Sequence, residues 1–193
     1  MVARVHVLCR ANQGRSPVFA ALLLEQAASR GVAADVTSSG LEARPGVGLL
    51  PAMAAAWRHH GHPPLDHRSR AYDPADVKRS EVTLVFEAAQ RTRVVNELPT
   101  MVARVFTVRE ATRLVSSPRW DPEWSGSSYV VTRLHRMRGY VDPADDDTPD
   151  PARMRQSACR RLLTELEHEA DLLGGVLFPA DEVQASSSTS GSP

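Results

Sequence analysis

Valine-rich apolar runs alternate along this chain with segments whose apolar residues recur at helical spacing. The run EVTLVFEA is continuous, which is typical of a central strand that is buried on both faces of a parallel sheet. Strands that alternate with helices form a parallel sheet with helices packed on both faces. The order predicts an α/β fold, a single three-layer domain with a central four-stranded parallel sheet flanked by helices. The predicted strands are residues 2–8, 32–39, 81–88 and 101–108.

Length and composition set the predicted domain boundaries. With 193 residues, of which 42% are hydrophobic, the chain is long enough for one well-buried core. We predict one domain over residues 1–178, with an irregular insertion at 117–149, where Pro, Asp, Ser and Gly are frequent. The last helix is predicted to end at the pair Gly174-Gly175. The polar end of the chain, residues 179–193, is predicted to be a disordered tail.

Charge and cysteine content argue against several classes of function. The formal net charge is zero, so no overall field attracts nucleic acid or an anionic membrane surface. No apolar run approaches the roughly 20 residues that a membrane-spanning helix needs, and the N-terminus lacks the pattern of an export signal. The two cysteines, Cys9 and Cys159, do not make a disulfide framework. We therefore expect a cytoplasmic protein with reduced thiols and with no nucleic-acid or membrane partner.

The segment CRANQGRSP, residues 9–17, combines a thiol with an arginine at the point where the first strand passes into a helix. Pro17 is favoured at the first position of a helix, and Ser16 before it is favoured as the cap. A tight loop here turns its backbone N–H groups inward and makes an anion site with the helix N-terminus. Arg15 adds a planar fork that can bind two phosphoryl oxygens, and these charges stabilise a thiolate at Cys9. The groups together suit nucleophilic attack on phosphorus.

A simpler interpretation is that Cys9 is a buried core cysteine and that Arg15 follows it by chance. The surrounding sequence favours the chemical interpretation, because a strand precedes Cys9 and a helix start follows Arg15. Asn12 lies where a left-handed backbone would help the loop to turn. The hydroxyl of Ser16 could also donate a hydrogen bond to the Cys9 sulfur, which would make the thiolate a better leaving group.

The same segment resembles the phosphate-binding loop of the low-molecular-weight protein-tyrosine phosphatases, which typically reads C-x-G-N-x-C-R-S-P near the N-terminus. Further segments are similar to the family in the same order, and the resemblance covers about residues 2–173. Other phosphatases with the Cys-x5-Arg spacing usually carry histidine before the cysteine, whereas Leu8 precedes Cys9 here. The further segments are TSSGLEARPG (37–46), DHRSR (66–70), SEVTLVF (80–86), VFTVREATRLV (105–115) and DDTPDP (146–151).

The resemblance implies a phosphomonoester hydrolase, most directly a protein-tyrosine phosphatase, that uses neither a cofactor nor a metal. Cys9 would be the nucleophile that forms a cysteinyl-phosphate intermediate, and Arg15 would bind the phosphoryl group. The substrate would be a phosphorylated protein or a small phosphoester, and we make no prediction of the oligomeric state. The residues implied to bind phosphate are Arg10, Ala11, Asn12, Gln13, Gly14, Arg15 and Ser16.

The family also supplies a general acid from an Asp-Pro pair just before its last helix. Three such pairs occur here, at Asp121, Asp142 and Asp150. Asp150 is the predicted acid because it follows Thr-Pro and stands directly before the last helical stripe. Asp142 is the fallback, and the other aspartates of this region would form a solvated acidic loop.

The resemblance further implies that Ser16, Ser38 and His67 hold Asn12 in a strained turn. On the residues alone, His67 would more often be an ordinary surface or cap histidine. The run HHGH at 59–62 suggests a metal site, but carboxylate or thiol ligands at a fitting spacing are lacking. We therefore predict no metal site.

Several positions depart from the family pattern and leave the substrate open. Gly14 stands where many members carry a second cysteine that can protect the nucleophile. Ala152 and Arg153 follow the Asp-Pro pair in place of the aromatic pair that often frames phosphotyrosine. Gln13 is polar where the family is usually aliphatic, and a threonine there marks protein-arginine phosphatases. A protein-arginine or small-molecule phosphatase is therefore the alternative function.

Two further alternatives come from other classes of protein. Arsenate reductases share this fold but relay electrons through additional cysteines, and this chain offers only Cys159. A non-catalytic module that binds a phosphorylated ligand would be favoured if Asp150 were remote from Cys9.

Overall fold

The computed structural model describes residues 3–124 and 127–179 of the chain. Strands and helices alternate along it, as the sequence predicts, with short 3₁₀ turns at Pro99–Met101, Pro122–Trp124 and Pro151–Arg153. The strands are β1 (Ala3–Cys9), β2 (Ala34–Gly40), β3 (Val82–Val85) and β4 (Val105–Thr107). The helices are α1 (Arg15–Ser29), α2 (Pro51–His59), α3 (Pro74–Arg79), α4 (Ala88–Glu97), α5 (Val108–Val115), α6 (Ser127–Met137) and α7 (Gln156–Leu177).

The four strands form one parallel sheet in the order β2-β1-β3-β4. This confirms the predicted four-stranded parallel sheet. The last residue of β1, Cys9, pairs with Gly40 at the end of β2, and Leu8 pairs with Val85 at the end of β3. Because parallel strands have their carboxyl ends at one edge, the loops that follow β1, β2 and β3 lie side by side.

Helices cover both faces of the sheet, which confirms the three layers. Side chains of β1 alternate between the faces: Val5 and Val7 lie in the larger core with α1, α2, α5, α6 and α7, whereas Leu8 lies in a smaller core. The smaller core includes Val77 of α3 and Val94 of α4. Among the helices of the described residues, none has both the length and the apolar character that crossing a bilayer requires.

The prediction of an irregular insertion at 117–149 is wrong for the middle of this segment, which folds as helix α6. Val130, Val131 and Leu134 are buried there, and α6 packs against α5 and α7. The frequent Pro, Asp, Ser and Gly residues around α6 obscured this helical spacing in the sequence. The part of the insertion that follows α6, residues 138–149, contains no helix or strand. The predicted disordered tail lies outside the described residues from position 180 onward.

Two helix ends differ from the prediction. Helix α1 begins at Arg15 with Gly14 in the cap position, and Ser16 bonds within the preceding loop instead of capping the helix. Helix α7 continues through Gly174 and ends at Leu177. A Cβ atom on Gly174 would lie 2.6 Å from the Cβ atom of Gln26 on α1. This glycine therefore allows two helices to approach closely and does not terminate one.

Replacement of Gly174 by alanine should lower the free energy of unfolding by about 1–3 kcal/mol, because α1 and α7 must move apart. The matched control is Gly175→Ala, where the nearest atom to the new Cβ is Arg30 Nη2 at 3.8 Å. The control should be neutral or stabilise the helix by up to about 1 kcal/mol. Urea unfolding of both variants measures the difference, and equal midpoints would contradict the close approach.

Candidate active site

The loop between β1 and α1 surrounds the thiol of Cys9. The sulfur lies 3.0 Å from the hydroxyl oxygen of Ser16 and accepts a hydrogen bond from the backbone N–H of Asn12 at 3.2 Å. Cys9 is 3% exposed, so access to its sulfur is confined to the mouth of the loop. The loop lies against the chain that follows β2, because Leu41 N–H donates to Cys9 O and Glu42 N–H donates to Arg10 O.

Asn12 has a φ of 53° and is the one non-glycine residue with positive φ among the described residues. Its side-chain amide donates to the hydroxyl oxygens of Ser16 and Ser38, each at 2.9 Å. Its Oδ1 accepts from the backbone N–H of Arg70 at 2.8 Å, and its carbonyl accepts from His67 Nε2 at 2.7 Å. The structure therefore brings together all four residues of the predicted network.

Burial lowers the pKa of His67 below its ordinary value, against the opposing effect of its bond to Asn12. The lowered pKa favours the neutral ring, and Nε2 carries a proton because the Asn12 carbonyl oxygen can only accept a hydrogen bond. The imidazole thus supports the loop as a hydrogen-bond donor and adds no charge to it.

The guanidinium group of Arg15 lies 2% exposed at the bottom of the site. Its Nη1 donates to Glu87 Oε1 at 2.6 Å and to the backbone oxygen of Thr148 at 2.7 Å. Its Nη2 lies 3.4 Å from Asp150 Oδ2. Because Nη1 is bound to Glu87 and Thr148, the fork that can bind two oxygens of a phosphoryl group is the one formed by Nε and Nη2.

Glu87 is a site residue that the sequence interpretation missed. It is the N-cap residue of α4, two residues after the end of β3, at the sheet edge where Cys9 ends β1. Gln90 donates to the same Glu87 oxygen at 2.8 Å and so helps to orient the carboxylate. An acidic residue shortly after a buried parallel strand was the available signal, because the carboxyl edge of such a sheet is where ligands bind.

Asp150 belongs to a segment that we call the Asp150 loop, residues 142–151. Its carboxylate is one-third exposed and lies 3.0 Å from Arg10 Nη2. The next residue packs on the loop after β1: a Cβ atom on Gly14 would be 2.8 Å from Pro151 Cγ. Gly14 stands where many members of the family carry a second cysteine. Because it has no side chain, Pro151 of the Asp150 loop can lie against the loop after β1.

A cavity of about 60 Å³ lies between the two loops and contains both Cys9 and Asp150. Of the competing aspartates, Asp142 uses its backbone oxygen to bind Arg113, and Asp121 accepts from the backbone of Glu123. Neither of them lines this cavity, and no aromatic side chain does. The lining residues are Cys9, Ala11, Gln13, Gly14, Arg15, Leu50, Asp150, Pro151 and Ala152.

The histidine run after α2 has structural partners. His60 and His62 both contact the Glu167 carboxylate on α7, and His62 stacks on Trp57. No group of three or more His, Cys, Asp or Glu side chains within residues 3–124 and 127–179 is arranged to hold a metal ion. Cys159 is fully buried on α7, and burial raises the pKa of its thiol.

Comparisons with known proteins show the family to which the chain belongs. A family model described as low molecular weight phosphotyrosine protein phosphatase matches residues 4–123. The probable low molecular weight protein-tyrosine-phosphatase EpsP of Ralstonia nicotianae is 30% identical over 110 residues, which are 57% of this chain and 73% of EpsP. The chain belongs to the low-molecular-weight phosphotyrosine protein phosphatase family.

Solved structures of bacterial phosphatases share the fold. The tyrosine phosphatase Wzb from Escherichia coli K30, in complex with sulphate, matches with a TM-score of 0.66 at 17% identity over 90% of this chain and 97% of Wzb. The YwlE arginine phosphatase from Geobacillus stearothermophilus matches with a TM-score of 0.66 at 20% identity over 89% of this chain and 90% of YwlE. At these identities the similarity concerns the fold.

Replacement of Asn12 by alanine should lower the free energy of unfolding by about 2–4 kcal/mol, because three side-chain hydrogen bonds are lost and alanine is strained at positive φ. Asn12→Gly loses the same bonds without the strain, and should recover about 1 kcal/mol. Both variants should bind inorganic phosphate about tenfold more weakly by calorimetric titration. Equal stability of the two variants would contradict a strained turn, and unchanged phosphate affinity would contradict its role in the anion site.

Proposed function

We propose that this protein is a phosphomonoester hydrolase that removes phosphate from phosphotyrosine in proteins through a cysteinyl-phosphate intermediate at Cys9. One observation carries the proposal: the thiol of Cys9, the fork of Arg15 and the carboxyl group of Asp150 line one small cavity. A nucleophile, an anion-binding fork and a group able to transfer a proton are what the reaction requires.

In the first step the Cys9 thiolate attacks phosphorus while the bond to the leaving oxygen breaks. The backbone N–H groups of the loop and Arg15 bind the equatorial oxygens, on which negative charge is held in the transition state. Asp150, in its protonated form, gives its proton to the leaving oxygen, so that tyrosine leaves as a neutral phenol.

In the second step a water molecule attacks the phosphorus of the cysteinyl-phosphate, and the sulfur–phosphorus bond breaks. The Asp150 carboxylate takes the proton from this water and returns to its starting form. The Ser16 hydroxyl, 3.0 Å from the sulfur, donates a hydrogen bond to the departing thiolate. Inorganic phosphate is released, and neither step of the reaction needs a cofactor.

The reaction requires a free thiol at Cys9. Both cysteines of the described residues are unpaired. We therefore propose that the protein works in a reducing compartment such as the cytoplasm, where a thiol nucleophile persists.

A second candidate, hydrolysis of phosphoarginine or of a small phosphoester, is supported by the cavity lining. Gln13 contributes a polar side chain there, and Leu50 and Ala152 are its neighbours in place of aromatic rings. The ratio of kcat/KM for matched phosphotyrosyl and phosphoarginyl peptides decides between the two substrates. Arsenate reduction has less support, because the one other cysteine, Cys159, is fully buried on α7.

Asp150→Asn should slow hydrolysis of a phosphotyrosyl peptide by a factor on the order of 10² to 10⁴, the usual effect of losing a placed general acid. The phenol of tyrosine has a pKa of about 10 and needs its proton, whereas dinitrophenol leaves as an anion. Dinitrophenyl phosphate hydrolysis should therefore change much less. Steady-state kcat/KM with both substrates measures the contrast.

Asp142→Asn is the matched control, since Asp142 begins the Asp150 loop and does not line the cavity. It should leave both substrates at nearly the wild-type rate. If the leaving-group contrast appeared in Asp142→Asn, the acid would be Asp142. If neither variant showed it, the chain would lack this general acid, and a binding module would become the better proposal.

A further inference from the structure

The Asp150 loop has no regular structure between Asp142 and Asp150, yet backbone and side-chain groups of other elements hold it at several points. Near the cavity, Thr148 N–H donates to Phe86 O at 2.7 Å and Thr148 O accepts from Arg15. Asp147 Oδ1 accepts from the first backbone N–H of α4, that of Ala88, at 2.6 Å. A segment of this composition would sample many conformations without such contacts.

Arg113 of α5 makes the most extensive of these contacts. Its Nε and Nη2 bind the two oxygens of Asp146 at 3.1 and 2.7 Å, which is the bidentate geometry of a strong ion pair. Its Nη1 donates to Asp142 O at 2.7 Å. One partly buried guanidinium group therefore fixes both the beginning and the middle of the Asp150 loop.

Arg109 lies one turn earlier on the same face of α5. Its Nη1 donates to Asp147 O at 2.7 Å, directly after the residue that Arg113 binds. Its Nη2 lies 2.8 Å from Glu165 on α7 and its Nε lies 3.5 Å from Glu169. The two arginines thus fasten the Asp150 loop to a helix that is itself packed on α7.

We propose that Arg113, assisted by Arg109, is a positioning residue that holds the Asp150 loop where Asp150 can give its proton to the leaving oxygen. This proposal rests on the proposed function, since it requires Asp150 to be the general acid. The physical basis is that proton transfer needs hydrogen-bond distance, and that displacement of a catalytic group by about 1 Å can cost about 10²-fold in rate. Arg113 does not touch the cavity and acts only through the loop.

The test measures kcat/KM for a series of aryl phosphates whose leaving phenols differ in pKa. Arg113→Met should lower the rate for phenyl phosphate about tenfold or more and change that for dinitrophenyl phosphate less than about threefold. Arg113→Lys should recover part of the loss, because a point charge attracts Asp146 but cannot bind both oxygens and a carbonyl. Asp146→Ala breaks the same pair from the loop side and repeats the test with α5 intact.

Arg138→Met is the matched control for general loss of stability. Arg138 makes an equally strong pair with Glu110, at 2.7 and 2.9 Å, and donates to the backbone oxygens of Val102 and Val105. Arg138 is buried to a similar degree as Arg113, and none of these bonds joins it to the Asp150 loop. Its variant should lose thermal stability while keeping the wild-type dependence on the leaving group.

A double-mutant cycle ties the effect to the acid. In an Asp150→Asn background, Arg113→Met should cause no further loss that depends on the leaving group. A loss of kcat/KM in Arg113→Met that is uniform across all leaving groups, or wild-type kinetics, would overturn the positioning role. The proposed function would still stand if Asp150→Asn showed the dependence on the leaving group. If Asp150→Asn itself showed no dependence, both the general acid and its positioning by Arg113 would be overturned.

Discussion

The buried guanidinium group of Arg15 joins three parts of the chain that are distant in sequence. It belongs to the first turn of α1. Its oxygen partners are Glu87, between β3 and α4, and Thr148 and Asp150 before α7. A buried charge without partners would cost several kcal/mol, so these contacts are needed for the fold as well as for the site. In the mechanism that we propose, the same contacts put the Asp150 carboxylate beside the phosphoryl group.

The sheet order explains how these parts meet. Strand β1 lies between β2 and β3, so the loop after β1 is flanked by the segments that follow both neighbours. The β2 side holds Asn12 through Ser38, and the β3 side supplies Glu87. The Asp150 loop then closes the remaining side by packing Pro151 against Gly14. The sheet therefore positions the contacts on two sides of the loop after β1, and the Asp150 loop supplies those on the third.

The sequence predicted those parts of the fold and site that depend on local pattern. The alternation of strands and helices and the loop around Cys9 follow from short segments, whereas the role of Asp150 as the acid stays a prediction. Glu87 was missed because its bond to Arg15 joins residues 72 apart, a contact that depends on the register of parallel strands. The predicted end of α7 was wrong because the packing of α1 against Gly174 overrides the usual preference of glycine for helix ends.

In the proposed mechanism, phosphate passes through the sulfur of Cys9. Rapid mixing of the enzyme with a phosphotyrosyl peptide, followed by acid quench, digestion and mass spectrometry, tests it directly. We expect phosphate on the peptide that contains Cys9 at early times, and neither this label nor turnover in Cys9→Ala. Turnover at the wild-type rate in Cys9→Ala, or a transient label on a different residue, would contradict the account.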